Sequence, residues 1–237
     1  MQETKISILS TRPLNDPLVT KAKTAGISID TFSFIETEPV QSIEVQQEIE
    51  QALQRTSSIV FTSMNAVEAV AIWLDDQQPD WTIYCTGTTT KQLVKKYFGE
   101  ESIAGTANSA AELAELIAHE DTTDEIIFFC GDQRRDELPG ILRNNKVSVH
   151  EIVVYQTIIV PHKIEKVYDG ILFFSPSGVE SFFRTNKVNE QTILFAIGNT
   201  TATEIKKYTN NHVIISEEPG KKTLVKQMME YFLTSHE

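Results

Sequence analysis

One stretch of this chain is written twice. Ile59-Val60-Phe61-Thr62-Ser63-Met64-Asn65-Ala66-Val67-Glu68 returns 112 positions later as Ile171-Leu172-Phe173-Phe174-Ser175-Pro176-Ser177-Gly178-Val179-Glu180. Gly87-Thr88-Thr89-Thr90, followed by Lys95-Lys96-Tyr97, returns 111 positions later as Gly198-Asn199-Thr200-Thr201, followed by Lys206-Lys207-Tyr208. In each copy a short apolar run ends in small hydroxyl residues where a helical pattern begins. Repeats kept in order and spacing predict two similar parallel-sheet domains with polar groups at their strand ends. A cleft between two such domains is the natural place for a ligand.

The pattern along the chain agrees. Residues 5–12 read as a buried strand and 18–25 as a helix stopped by Gly26; 27–34 alternates with period two as a second strand. A helix follows over 42–55, then strand 58–62, helix 64–74, strand 82–86 and helix 88–97. Ser109-Ala110-Ala111-Glu112 is a capping box opening a helix whose stripe is Leu113, Leu116 and Ile117. Strand 125–130, helix 136–144 and a long extended stretch, 147–160, complete the middle. Strand 170–174, helix 177–185, strand 192–197, helix 200–208, strand 212–215 and helix 223–234 repeat the scheme. Strands alternating with helices at this spacing mean parallel sheets covered on both faces.

The early strand-helix-strand unit has no partner just before Ile59. Its best match is 128–154, where Val147-Ser148-Val149-His150 resembles Ile27-Ser28-Ile29-Asp30. Insertion of one domain into the other explains this. Residues 1–35 then join 159–237 as a discontinuous domain, and 36–158 form the inserted one. The chain crosses between them twice, near 35–39 and 153–161, making a two-stranded hinge suited to a closing cleft.

Composition narrows the function. A chain of 237 residues with 41 % apolar and 23 % charged side chains is an ordinary globular one. No apolar run approaches the roughly 20 residues that span a bilayer, and Met1 to Lys5 enter a strand pattern without signal-peptide anatomy. A cytoplasmic location, away from any membrane, is the expectation. The net charge of −12 argues against nucleic acid as a partner. Cys85 and Cys130, each in a predicted buried strand, read as free core thiols in preference to a disulfide. The five histidines are scattered, none with a metal-ligand partner nearby, so no metal is expected.

No Gly-x-Gly-x-x-Gly, P-loop or nucleophile-elbow motif is present, so dinucleotide, nucleotide and serine-hydrolase chemistry lack support. What remains is a set of strand-to-helix corners: Thr62-Ser63-Met64-Asn65, Gly87 to Thr90, Gly131 to Asp136, Ser175-Pro176-Ser177-Gly178 and Gly198 to Thr201. Unpaired backbone N–H groups at a helix start, with a hydroxyl beside them, suit a carboxylate or phosphate. Taken singly, each corner reads as an ordinary helix cap; five of them at strand ends in two similar domains bring the anion-site reading level with it.

The residues that make these corners also carry a resemblance. Phe61-Thr62-Ser63-x-Asn65-Ala66-Val67, Val154-Tyr155-Gln156-Thr157, Phe173-Phe174-Ser175-Pro176-Ser177-Gly178-Val179 and Ala196-Ile197-Gly198-x-Thr200-Thr201-Ala202 resemble the uroporphyrinogen-III synthase family. So does Gly131-x-x-Arg134-Arg135-Asp136-x-Leu138-Pro139, and the likeness runs from Ser10-Thr11-Arg12-Pro13 to the last helix. It implies two similar doubly wound, flavodoxin-like α/β domains, one inserted into the other. It also implies a cofactor-independent cyclising lyase of porphyrin biosynthesis. In that family hydroxymethylbilane, a linear tetrapyrrole, loses its hydroxyl to give an azafulvene. The substituted carbon of ring D attacks, and the spiro intermediate fragments and recloses as uroporphyrinogen III. Without catalysis the bilane closes to the uninverted isomer, so the protein's task is to hold one reactive geometry.

The substrate's eight carboxylates fit corners that bind anions without net positive charge. On this resemblance the substrate-binding candidates are Arg12, Thr62, Ser63, Thr90, Arg134, Arg135, Ser175, Ser177, Gly178, Thr200 and Thr201. The arginines read equally as surface charges. Tyr155, in the second crossing, is the candidate acid for the leaving hydroxyl, or else a hinge tyrosine packed for shape. A free phenol is a weak acid, so its loss should slow the reaction without abolishing it. The family often has a basic residue where this chain has Asn65, which removes a charge-based role there. A monomer is expected, with transient hand-over of substrate from the preceding bilane-forming enzyme. The alternative is a non-catalytic two-domain protein that closes on a small polycarboxylate.

Overall fold

The computed structural model describes residues 6–75, 77–120, 124–218 and 220–234. Residues 1–5, part of the sequence reading above, lie outside them. The chain falls into two compact units, Met1–Glu36 with Ile158–Glu237 and, separately, Thr37–Thr157.

In the first unit the chain runs β1 (Ile6–Ser10), α1 (Asp16–Thr24) and β2 (Ile27–Thr31), and enters β3 (Ile35–Pro39). The second unit continues with α2 (Ile43–Leu53), β4 (Ser57–Phe61), α3 (Met64–Ala71), β5 (Trp81–Thr86), α4 (Thr88–Phe98) and β6 (Ile103–Ala107). It closes with α5 (Ala110–Ala118), β7 (Glu125–Gly131), α6 (Glu137–Asn144) and β8 (Ser148–Ile159). The first unit then resumes as β9 (Gly170–Phe173), α7 (Pro176–Thr185), β10 (Ile193–Ala196), α8 (Asn199–Ile205), β11 (Val213–Ile215) and α9 (Lys221–Thr234).

The first unit's sheet has the order β11-β10-β9-β1-β2, with every pair parallel. In chain order within that unit this is the flavodoxin-like 2-1-3-4-5 arrangement. The second sheet, β3-β8-β7-β4-β5-β6, is parallel from β8 to β6. There β8, β7, β4, β5 and β6 take the places that β2, β1, β9, β10 and β11 take in the first. The two sheets are thus one arrangement entered at different strands, a circular permutation. This is why the repeats at Ile59 and Ile171 align while the opening strand-helix-strand unit matches 128–154.

Both faces of each sheet are buried, which explains strands written as unbroken apolar runs. Ile171 and Phe173 face one core with Leu9, Leu194 and Phe182. Leu172 faces the other with Ile8, Phe195, Met228 and Phe232. In the second unit Phe61 and Phe129 stack at 5.6 Å beside Trp81 on one face. Val60, Phe128 and Cys130 pack under α5 and α6 on the other.

Two elements depart from the sequence reading. The strand expected over 27–34 ends at Thr31; beyond it Phe34 turns wholly inward against Phe182, with ring centres 5.3 Å apart. Strand β6 is not expected from the sequence, because Ile103-Ala104-Gly105-Thr106-Ala107 offers little apolar signal. Its glycine is required by packing, since a Cβ there would stand 2.8 Å from Leu116 Cδ2 and 2.9 Å from Tyr84 Cδ1.

Candidate active site

In a 2-1-3-4-5 sheet the strand order reverses between the first and third strands, and ligands bind outside the carboxyl ends there. The reversal lies between β7 and β4 in the second unit, and between β1 and β9 in the first. Each has polar side chains at its mouth.

In the second unit β4 ends at Phe61 and Ser63 caps α3, its Oγ accepting from Asn65 N–H at 3.2 Å. Tyr155 reaches the same oxygen from two strands away and donates its phenolic hydrogen to Ser63 Oγ at 3.2 Å. Its path crosses β7 above Gly131, the residue it pairs with after a shift of register between Cys130 and Gly131. A Cβ on Gly131 would stand 2.4 Å from Tyr155 Cζ, so only glycine lets the ring lie there. Asp132 fixes the strand on both sides of the tyrosine. Its N–H donates to Tyr155 O at 3.1 Å, and its Oδ1 accepts from Thr157 N–H at 2.9 Å.

The other candidates of this unit are placed differently. Thr62 is half-buried, and its carbonyl accepts from Thr86 Oγ1 at 3.2 Å. Arg134 is engaged internally by Asp136 and Glu151, while Glu151 also holds Arg143 at 2.7 Å. Arg135 is exposed and makes no ion pair among those found in the described residues. At the β5 corner Gly87 (φ +71°) precedes α4 without a side-chain cap. Thr88 and Thr89 are exposed there, but Thr90 is only 6 % exposed.

In the first unit Ser175 Oγ accepts from Gly178 N–H at 3.1 Å and lies 3.2 Å from Ser177 Oγ. Pro176 opens α7, a first-turn position that needs no N–H donor. Thr11, at the end of β1, donates through both its N–H and Oγ1 to Leu172 O, closing the seam with β9. Arg12 follows, half-buried. At the β10 corner Gly198 leaves the start of α8 uncapped by any side chain, with Asn199 and Thr200 exposed. Thr201 is 1 % exposed and belongs to the packing of α8.

The structure therefore brings the candidates Ser63 and Tyr155 together, and likewise Ser175, Ser177 and Gly178. Sequence reasoning missed Gly131 as the floor beneath Tyr155, Asp132 as its brace, and Lys221 at the start of α9. Cys85 and Cys130 are free and buried, and burial raises each thiol to about 11. Among the described residues no group of three His, Cys, Asp or Glu side chains is placed to hold a metal ion. No helix among them is long and apolar enough to cross a membrane.

Two flavodoxin-like α/β units, each with a serine-capped helix start at its strand reversal, define a two-unit α/β protein with polar side chains at its strand ends. Comparison with known proteins narrows the class. The family model described as uroporphyrinogen-III synthase HemD matches residues 16–226, and the chain belongs to that family. The uroporphyrinogen-III synthase of Saccharomyces cerevisiae is 24 % identical over 212 residues, covering 73 % of this chain and 75 % of the yeast one. Among solved structures, uroporphyrinogen-III synthetase from Helicobacter pylori matches with a TM-score of 0.65 at 15 % identity, covering 95 % of this chain and 99 % of that one. A mutant uroporphyrinogen III synthase from the extremely thermophilic bacterium Thermus thermophilus gives 0.62 at 15 % identity, covering 97 % and 99 %. At such identities the two structures speak for the fold.

Proposed function

We propose that this chain, a cyclising lyase by family, closes hydroxymethylbilane to uroporphyrinogen III with Tyr155 as the proton donor to the leaving hydroxyl. The observation that carries the role is the phenol's place, laid over Gly131 and aimed at Ser63 beside the strand reversal of the second unit. The phenolic proton goes to the substrate hydroxyl, the C–O bond breaks, and water leaves as a pyrrole nitrogen supplies electrons to form the azafulvene. Ring D's substituted carbon attacks the freed methylene carbon, and the spiro intermediate fragments and recloses with the ring inverted. The proton finally lost from ring D restores the phenol, so the balance is one water released and no net change in the protein.

The carboxylates are assigned to the strand-to-helix corners. Ser175, Ser177, Gly178 and Thr200 serve in the first unit, and Thr62 and Ser63 in the second, with Arg12 and Arg135 adding charge. Thr90 and Thr201, being buried, act by setting the shape of the α4 and α8 starts, and Arg134 by bracing β8 through Glu151. The enzyme is proposed to work as a cytoplasmic monomer that receives its unstable substrate directly from the bilane-forming enzyme. Two buried reduced thiols accord with a reducing compartment.

The test is an assay in which hydroxymethylbilane is generated in situ and isomers I and III are separated by chromatography. Predominance of isomer III supports the function. Isomer I alone, at the uncatalysed rate and with folded protein, overturns it in favour of a non-catalytic polycarboxylate binder.

A further inference from the structure

We infer that Lys221 and Arg12 form a carboxylate-binding pair at the carboxyl end of β1, taking one acidic side chain of the tetrapyrrole. This rests on the synthase reading and adds to it a residue and a subsite. Arg12 lies two positions beyond β1, beside the strand reversal of the first unit. Lys221 is the first residue of α9, and its ammonium donates to Pro13 O at 3.1 Å, next to Arg12. Helix α9 packs Leu224, Met228 and Phe232 into the core under β1 and β9, which fixes its first turn at this mouth.

Three observations point to an anion. First, the pair is electrostatically uncompensated. Neither Lys221 nor Arg12 takes part in the ion pairs found among the described residues, and the charge felt at the Lys221 ammonium is the like charge of Arg12. Second, Lys221 is held against its own interest. Partial burial first, and then the positive charge of Arg12, push its ammonium below the ordinary lysine value. Third, the local sequence opposes the helix. The first turn of α9 contains Lys221 and Lys222 and no acidic residue, although a helix start favours negative charge. Where a sequence breaks a local rule and a charge stays unpaired at the same spot, function is the usual cause.

A carboxylate placed between the two side chains answers all three. It neutralises the repulsion, accepts hydrogen bonds from the guanidinium and ammonium, and complements the positive end of α9. A negatively charged protein thereby holds a polyanion without a basic face.

The experiment measures steady-state kinetics with hydroxymethylbilane, and product inhibition by uroporphyrinogen III under anaerobic conditions, in Lys221→Met, Arg12→Met and the double variant. The expected result is a KM and an inhibition constant each raised about tenfold in either single variant, with kcat within about twofold, as for a lost charge-assisted contact. The double variant should fall short of the product of the two, because both cations serve one carboxylate. Lys221→Arg should keep most of the affinity, and Lys222→Met should change it less than about twofold. Circular dichroism verifies the fold, which Lys221→Met should leave intact. Unchanged KM and inhibition constants, with isomer III still formed, overturn the pair while the synthase function stands. A loss of kcat at constant KM also overturns it. Wild-type protein yielding isomer I alone removes the synthase reading itself.

Discussion

Tyr155 lies across Gly131 so closely that a Cβ there would stand 2.4 Å from Tyr155 Cζ and 2.7 Å from its hydroxyl oxygen. The contact places a phenol from β8 over β7 and against the corner that follows β4. The glycine is needed for close approach, since its φ lies outside the left-handed range.

Gly131→Ala should therefore separate activity from stability. The added methyl meets the far end of a side chain, so the phenol swings away at small cost to the fold. Formation of isomer III should fall roughly 100-fold in kcat, the lower end of what a positioned general acid contributes, while the melting temperature drops by no more than a few degrees. Gly140→Ala is the control. Gly140 lies inside α6 with nothing within 4 Å of a new Cβ, so alanine should stabilise by about 0.5–1 kcal/mol and leave turnover alone. Equal loss of activity in both variants would refute the assignment.

Ser63 accepts two hydrogen bonds at one oxygen, from Asn65 N–H and from the Tyr155 hydroxyl. Ser63→Ala should cost about 1 kcal/mol through the lost cap and lower turnover as well. Tyr155→Phe should lower kcat roughly 100-fold with little change in KM, and stability should move by about 1 kcal/mol or less. Because the hydroxyls are partners, the double variant should be less than additive in kcat. Strict additivity in isomer-resolved kinetics would show that they do not act together.

How much of this was legible follows from the range of each interaction. Phe61, Phe129, Leu172 and Phe173 announced their strands because burial on both sheet faces leaves an unbroken apolar run. Ser63, Ser109 and Ser175 announced their helices because a cap acts within three residues; Glu112 does reach back, accepting from Asn108 N–H at 3.1 Å. The floor under Tyr155 did not show, because it depends on which residue of β7 faces which residue of β8. A register shift moves that by one residue. Thr90 and Thr201 looked like site hydroxyls because a corner's sequence does not say which of three residues the helix turns inward. Arg134 looked available because Glu151, which takes it, is contributed by a neighbouring strand. Repeat spacing held the one unused clue. Carried back by 111 positions, strand 213–215 falls at 102–104, where β6 begins.

Asn186 should be the costliest polar side chain to truncate in the first unit. Its Nδ2 donates to His162 O at 2.7 Å and Phe182 O at 2.8 Å, and its Oδ1 accepts from Ile164 N–H at 2.7 Å. Asn186→Ala strands these backbone groups in a largely buried place. It should cost on the order of 2–4 kcal/mol in urea unfolding, the sum of several unmade hydrogen bonds. A loss below about 1 kcal/mol would mean that water replaces the amide freely.

The two buried thiols make stability fall at high pH. Burial holds Cys85 and Cys130 in the neutral form, raising each to about 11, whereas a thiol in the unfolded chain titrates near 8.5. The folded state therefore keeps its protons at pH values where the unfolded chain releases them. The resulting stability is complete below about pH 8.5 and declines as pH rises toward 11, by roughly 3 kcal/mol per thiol at one pKa unit per 1.36 kcal/mol. Cys85→Ala loses the sulfur's packing at every pH but flattens this decline, as does Cys130→Ala. Urea titrations of wild type and both variants at pH 7.5 and 10 measure the difference. Reaction with a thiol reagent at pH 8 should likewise be slow until the protein unfolds. Parallel pH profiles in wild type and variants would show that the thiols do not control the alkaline loss.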